Sequence, residues 1–319
     1  MSAVQLTRRQ VLLGAAAGAA VAVAPWEGGH AATAAPAAAA GTLRIGDDLM
    51  VNRMGFGAMR LTGAGIWGEP KDAAQARAVL RRALELGVNF IDTADAYGPQ
   101  VSERLIAEAL HPYPRGLVIA TKGGLTRPSA PQWVPDGRPE HLREACEGSL
   151  KRLKLERIDL YQFHGIDPKV PLEESLGELA RLRQAGKIRH VGVSNFKAEE
   201  LARARRVVPV VSVQNRYNVA DRASEDVLEV CTREKLAFIP WAPIARGSAE
   251  KLQKADAGGG LEAVAQARGV SVLQLAIAWL LMKSPAMVPI PGTSSAEHLE
   301  QDVAAASLKL TPAEMAAIG

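Results

Sequence analysis

The order of elements predicts an α/β fold, a (β/α)8 TIM barrel preceded by an N-terminal β-hairpin. Three observations carry this expectation. Apolar runs of strand length alternate with segments of helical periodicity through eight repeats. Helix-to-strand joints carry glycine at the expected C-cap, as in Leu86-Gly87-Val88-Asn89 and Ala185-Gly186-Lys187-Ile188. At 319 residues, the chain leaves room for a barrel of roughly 250 residues once its N-terminus is set aside.

That N-terminus is a different kind of signal. Thr7, Arg8, Arg9, Gln10, Val11, Leu12 and Leu13 form a twin-arginine start, and a weakly apolar Ala/Gly/Val stretch runs from Val11 to Ala24. Ala32, Thr33 and Ala34 offer a cleavage site. The apolar run is shorter than the roughly 20 residues a membrane span needs. Residues 1–34 therefore read as a Tat-type signal peptide that is cleaved. This predicts recognition by the Tat export machinery and a periplasmic or extracellular protein with no stable membrane association, or a cytoplasmic one if the signal is not used. An Ala-rich linker, 35–41, then leads to a barrel at 42–319.

The barrel elements follow in order. Thr42 to Ile45 and Leu49 to Val51 flank Gly46, Asp47 and Asp48 as a hairpin suited to plugging the barrel floor. Strand patterns cover Arg53 to Ala58, Asn89 to Asp92, Leu117 to Thr121, Ile158 to Phe163, Ile188 to Val193, Val210 to Gln214, Ala237 to Trp241 and Met287 to Pro291. Helical patterns cover Asp72 to Leu86, Glu103 to Leu110, Glu140 to Leu153, Leu172 to Ala185, Ala198 to Arg206 and Ser224 to Glu234. They continue over Leu261 to Met282, with a break near Gly269, and Ser295 to Ala306, and a short turn at Pro312 to Ile318 ends the chain.

Composition bounds the function classes. With 48% hydrophobic and 23% charged residues the chain is neither disordered nor fibrous. The formal charge is +4, and removal of 1–34 takes away Arg8, Arg9 and Glu27 to leave +3. Basic residues such as Arg81, Arg82, Arg203, Arg205 and Arg206 are spread along helices without interleaved aromatics, so no nucleic-acid partner is expected. Cys146 and Cys231 lie in helix-like segments and read as small core side chains rather than a disulfide. No H-E-x-x-H occurs and the histidines are scattered, so no metal site is expected.

An open, doubly wound sheet is the competing architecture, and Gly63-Ala64-Gly65-Ile66-Trp67-Gly68 spells its G-x-G-x-x-G dinucleotide fingerprint. The context rejects it. The last glycine should open a helix facing the pyrophosphate, but Glu69, Pro70 and Lys71 intervene. The stretch reads as the first βα loop over the barrel mouth, where Trp67 is a candidate for lining a substrate pocket.

Four residues carry the chemistry. Asp92, Tyr97, Lys122 and His164 each end a strand pattern or follow one, so a parallel barrel brings them to one rim. A phenol with a pKa near 10 is a poor proton source at neutral pH unless its anion is stabilised. Lys122 is expected to lower the pKa of Tyr97, Asp92 to hold the lysine charged and oriented, and His164 to bond the substrate oxygen. Such a set protonates a carbonyl as hydride arrives. The hydride must come from a cofactor, and the loops after strands seven and eight supply a phosphate seat. These are Trp241 to Gly247, which includes Arg246, and Pro291 to Ser295, with Ser294 and Glu297 spaced as a capping box. Ser194, Asn195 and Gln214 are small polar groups suited to a carboxamide.

Phe90-Ile91-Asp92-Thr93-Ala94-Asp95-Ala96-Tyr97-Gly98, Thr121-Lys122, Gln162-Phe163-His164, Gly192-Val193-Ser194-Asn195-Phe196 and Ile290-Pro291-Gly292-Thr293 resemble the aldo-keto reductase family, from about Leu43 onward. The resemblance implies reduction of aldehydes or ketones with a nicotinamide cofactor. It implies Tyr97 as general acid, Lys122 and Asp92 as its partners, and His164 as substrate orienter. Ser194, Asn195 and Gln214 would hold the nicotinamide amide, with Trp241 stacked on its ring. It extends the cofactor contacts to Gly57, Met59 and Asp92, to Pro243, Ile244, Arg246 and Gly247, and to Gly292, Thr293, Ser294, His298, Gln301 and Asp302. Trp67, Tyr97, Trp133 and His164 would meet substrate.

One departure concerns the cofactor. Where NADPH binders of the family often carry a lysine after the last strand and an arginine one turn into the helix, this chain has Gly292 and His298. Thr293, Ser294 and Arg246 remain available to a phosphate. The expected cofactor is NADPH, with NADH possible. The expected protein is a monomer acting on a small carbonyl compound, and the alternative is a nucleotide-binding sensor or regulatory barrel with little turnover.

Overall fold

The computed structural model describes residues 36–245, 250, 252 and 259–319, so the expected export signal lies outside the described residues. Strands β1 (Thr42–Ile45) and β2 (Leu49–Asn52) pair antiparallel, with Leu43 opposite Val51. Their alternation places Ile45, Leu49 and Val51 on one buried face. That face packs on Phe90, Val118, Ala120, Leu160, Ala237, Val288 and Ile290 from inside the barrel. The hairpin is thus the barrel floor.

The wall consists of β3 (Phe56–Gly57), β4 (Phe90–Asp92), β5 (Val118–Gly123), β8 (Ile158–Phe163), β9 (Ile188–Ser194), β10 (Val210–Gln214) and β11 (Ala237–Phe238), hydrogen-bonded in that order and all parallel. Between β5 and β8 lies a small antiparallel hairpin that the sequence patterns did not reveal, β6 (Leu125–Thr126) with β7 (Val134–Pro135).

The eighth wall element closes the barrel without being a ladder strand. Phe238 N donates to Ala286 O (2.8 Å) and Val288 N to Phe238 O (2.9 Å) on one side. On the other, Gly55 N donates to Pro289 O and Gly57 N to Pro291 O, both at 3.0 Å. Pro289 and Pro291 have no N–H to return, so the pairing toward β3 runs in one direction only. Met287 to Pro291, with Ala286 before it, therefore stands where the eighth strand was expected, both donating and accepting toward β11 but only accepting toward β3.

Helices cover the outside and start where local chemistry dictates. Ala73–Glu85 is capped by Asp72, whose carboxylate accepts from Gln75 N at 2.8 Å, and buries Ala76, Val79, Leu80 and Ala83 at helical spacing. Val272–Lys283 begins with a Ser271/Gln274 capping box, and Pro312–Ile318 with Thr311/Glu314. The break expected near Gly269 is real. Gly260–Arg268 ends on Gly269 at φ 63°, and the following helix departs at 105°. No single described helix is long and apolar enough to cross a membrane.

The stretch read as a linker is instead part of the fold. Pro36–Ala40 is a 3-10 helix with Ala37 and Ala40 buried, and Ala37 N donates to Leu86 O at 3.0 Å. Small side chains let this turn lie flat on the barrel's outer core, where composition alone suggested a spacer. Cys146 and Cys231 are free and buried, and desolvation pushes both thiols up to about 12.

Candidate active site

Parallel strands end together, and that is what assembles the site. β4 ends at Asp92, β5 carries Lys122, β8 carries Gln162, and His164 follows it; Lys122 pairs in register with Gln162, as Gln214 of β10 does with Ser194 of β9. Lys122 is fully buried. Its ammonium donates to Asp92 Oδ1 (2.6 Å), the Thr93 carbonyl (2.9 Å) and Tyr97 Oη (3.1 Å), which commits all three of its N–H groups. Asp92 accepts on both oxygens. Its Oδ2 accepts from Gln162 Nε2 (2.9 Å) and Gln214 Nε2 (2.8 Å). Tyr97 Oη accepts from Lys122, and its own O–H has no protein acceptor among the described residues. Of the pair only Tyr97 reaches the cavity.

Burial sets the electrostatics. Desolvation raises the Tyr97 phenol above its ordinary value; Lys122 pulls it down and Asp92 pushes it up, and burial prevails. This corrects the expectation that Lys122 lowers it on balance. Burial works to lower the Lys122 ammonium, but the Asp92 charge and the hydrogen bonds outweigh it and hold the amine charged above the usual lysine range. Burial, aided by the Lys122 charge, drives His164 well below the normal imidazole range. Its ring is neutral at physiological pH, and its buried Nδ1 has no partner. Rings of Tyr97, His164 and Trp133 meet edge-on in pairs at 5.8 to 6.2 Å, forming a corner of the cavity.

The cavity above them measures about 1110 Å³, slightly beyond the 300–1,000 Å³ typical of small-molecule sites. Gly57, Met59, Asp92, Ser194, Asn195, Gln214, Trp241, Pro243 and Ile244 line it, and its far end is formed by Gly292, Thr293, Ser294 and His298. Backbones close in where the glycines stand: a Cβ on Gly292 would lie 2.4 Å from Gly57 O. Asn195 takes φ 61° at the end of β9, and its Oδ1 accepts from Trp241 Nε1 at 2.9 Å.

A model of the Aldo/keto reductase family matches residues 53–319. The chain belongs to the aldo-keto reductase family. It is 50% identical over 281 residues, 88% of its length and 90% of the relative's, to an uncharacterised oxidoreductase of Schizosaccharomyces pombe. It is 40% identical over 268 residues to pyridoxine 4-dehydrogenase of Escherichia coli, covering 82% and 91% of the two chains. Its fold matches an aldo-keto reductase from Klebsiella pneumoniae crystallised with NADPH, with a TM-score of 0.71, 27% identity, and 87% and 93% of the two chains covered. Members of the family are NAD(P)H-dependent oxidoreductases acting on small carbonyl compounds, and this aldo-keto reductase is one.

The donor set fits a nicotinamide dinucleotide. One end of the cavity offers Ser194, Asn195 and Gln214, and the other the N-terminus of the helix Ala296–Ala304 beside Thr293 and Ser294. Gln214 has committed its amide N–H groups to Asp92 and to Gln162 Oε1 (3.2 Å), so its carbonyl oxygen is what remains for a carboxamide.

Several expected positions lie elsewhere. Ser295, not Ser294, caps the last long helix, accepting from His298 N, while Thr293 Oγ1 accepts from Ser295 N at 3.0 Å. Gln301 and Asp302 do not line the cavity, because one helical turn beyond His298 their side chains have left its end: Gln301 donates to Glu297, and Asp302 is buried. Trp67 is not in the wall either. Its backbone bridges to Gly98, which turns the indole onto Arg127 (5.5 Å), and Gly63 to Ile66 line the cavity in its place. Arg246 and Gly247 lie outside the described residues.

Gln162, Arg60 and Arg127 were missed. Gln162 was legible, since strand alternation from Leu160 turns it inward onto Asp92. Nothing local marks Arg60 or Arg127, whose positions depend on how loops fold over the mouth.

Proposed function

We propose that this protein is a carbonyl reductase using NADPH, with Tyr97 as the general acid. The reading rests on one observation: the Lys122 ammonium has no N–H left over, while the phenol it orients faces the cavity with its own O–H free of any acceptor among the described residues. When bound, NADPH supplies the hydride. Tyr97 donates its proton to the carbonyl oxygen of the substrate, and the phenolate left behind sits 3.1 Å from Lys122 Nζ. Asp92, itself held by Gln162 and Gln214, keeps the amine charged for that moment. Solvent returns the proton through the open side of the cavity. Neutral His164 and Trp133 bracket the substrate and fix its oxygen near Tyr97.

The wall of Trp133, Tyr97 and His164 favours a flat, aromatic carbonyl compound. The name of the Escherichia coli relative, pyridoxine 4-dehydrogenase, supports the same choice, since its alcohol is borne on a heteroaromatic ring. Incubation with NADPH and benzaldehyde or pyridoxal, followed by loss of nicotinamide absorbance, tests the reading. Turnover of an aromatic aldehyde supports it, and none with either aldehyde overturns it.

The twin arginines Arg8 and Arg9 support export by the Tat route to a periplasmic or extracellular location. Fractionation of cells carrying the wild type and an Arg8→Lys, Arg9→Lys double variant decides this. Export of both proteins alike would exclude that route.

A further inference from the structure

Arg127 belongs neither to the proton-donating set nor to the cofactor end, yet it ties the mouth of the cavity together. Its Nη1 donates to the Ile66 carbonyl (3.0 Å) and the Ala96 carbonyl (3.5 Å), and its Nη2 to the Gly65 carbonyl (3.2 Å) and the Ala130 carbonyl. One guanidinium thereby joins the first βα loop, the segment before Tyr97 and the loop between β6 and β7. Its central carbon lies 3.8 Å from the ring centroid of Trp133, and Trp133 meets both Tyr97 and His164 at 6.2 Å.

Two features leave its charge uncompensated beyond this structural clamp. No carboxylate lies within ion-pair distance of it among the described residues; its partners are carbonyls and indole faces. Its Nε–H is buried and unpartnered, and the residue is only 7% exposed. A buried cation behind an aromatic wall projects its field into the cavity on the other side. Elsewhere in the substrate half, Lys122 is already matched by Asp92.

We propose that Arg127 determines substrate specificity, holding Trp133 as a flat wall beside Tyr97 and biasing the pocket toward aromatic aldehydes that carry an anionic substituent. With the carbonyl at Tyr97 and the ring along Trp133, a distal carboxylate points to the rim of Gly65, Ile66 and Ala130, where the guanidinium is anchored. This rests on the carbonyl-reductase reading and adds a charge preference to it. Arg127 acts through Trp133 and through its field, so it is a positioning residue.

The test compares 4-carboxybenzaldehyde with its neutral methyl ester, methyl 4-formylbenzoate, on wild type, Arg127→Lys and Arg127→Met with NADPH. Wild type is expected to prefer the acid by about tenfold in kcat/KM, chiefly through KM, with the ratio shrinking as salt rises. Arg127→Lys keeps part of that ratio but raises KM for both aldehydes. Arg127→Met brings the ratio near one, while the NADPH dissociation constant stays put in both variants. Wild-type indifference to the carboxylate, or an unchanged ratio in Arg127→Met, overturns the proposal. If Arg127→Met does not fold, Arg127→Lys together with the salt series decides. Calorimetric binding of 4-carboxybenzyl alcohol and its methyl ester to the protein loaded with NADP⁺ reads the same discrimination without turnover. Discrimination without catalysis would sink the reductase reading and leave only the Arg127 preference for an anionic ring; catalysis without discrimination would overturn the Arg127 proposal and leave the reductase reading standing.

Discussion

Lys122 Nζ stands 3.1 Å from Tyr97 Oη with its remaining two N–H groups held by Asp92 and the Thr93 carbonyl. The amine is therefore an orienting cation for the phenol and has no donor to offer a substrate. Its place in a fully buried site makes it a structural charge as well as a functional one.

Replacing it separates those two roles. Lys122→Met leaves Asp92 buried without its cation, which costs about 3–5 kcal/mol of stability. Lys122→Met with Asp92→Asn removes both charges and recovers part of that loss in urea denaturation. Aldehyde reduction stays depressed by about 10²–10⁴ in both, because the phenolate is no longer stabilised. Recovery of rate along with stability would contradict the assigned role.

The pH profile follows from the directions of the shifts. Tyr97 is raised above its ordinary value, so the acid form persists through neutral and mildly alkaline pH, and reduction declines only at strongly alkaline pH. Alcohol oxidation, which needs the phenolate, climbs with pH over the same range. His164 is displaced well below the usual imidazole range, so the profile of kcat/KM shows no step near pH 6.5. A step there that vanishes in His164→Gln would contradict a neutral ring.

Asp302 gives a prediction about stability alone. Burial pushes its carboxyl up to about 7, and its side chain has no hydrogen-bond partner among the described residues. The folded state thus holds this proton more tightly than the unfolded chain. The contribution is most favourable at low pH and is lost as pH rises through the range up to about 7. Asp302→Asn should stabilise the apo protein more at pH 8 than at pH 5, by about 2–3 kcal/mol at 1.4 kcal/mol per unit. Equal gains at both pH values in urea titrations would refute this.

The barrel was legible because its period is strong: the wall strands are largely buried, helices such as Ala73–Glu85 keep one apolar face, and Gly87 and Gly269 mark helix ends. The convergence of Asp92, Tyr97, Lys122 and His164 was legible because parallel strands must finish at one rim. What the chain did not disclose depends on long-range geometry. The sum of burial and charge at Tyr97 cannot be read from neighbours in sequence. Nor can the fate of Trp67, since it is the bridge to Gly98 that turns its indole onto Arg127. The one-sided closure by Pro289 and Pro291 shows only once both neighbours are in place. Pro36–Ala40 misled for the opposite reason, because alanines suit a spacer and a tight packed turn equally well.

The most direct measurement pairs NADPH binding, by fluorescence titration, with single-turnover reduction of an aromatic aldehyde by wild type and Tyr97→Phe. Both are expected to bind NADPH alike, and the variant, lacking only one hydroxyl, to lose about 10²–10⁴ in rate. A variant that binds the cofactor and reduces the aldehyde as fast as wild type would contradict Tyr97 as the general acid.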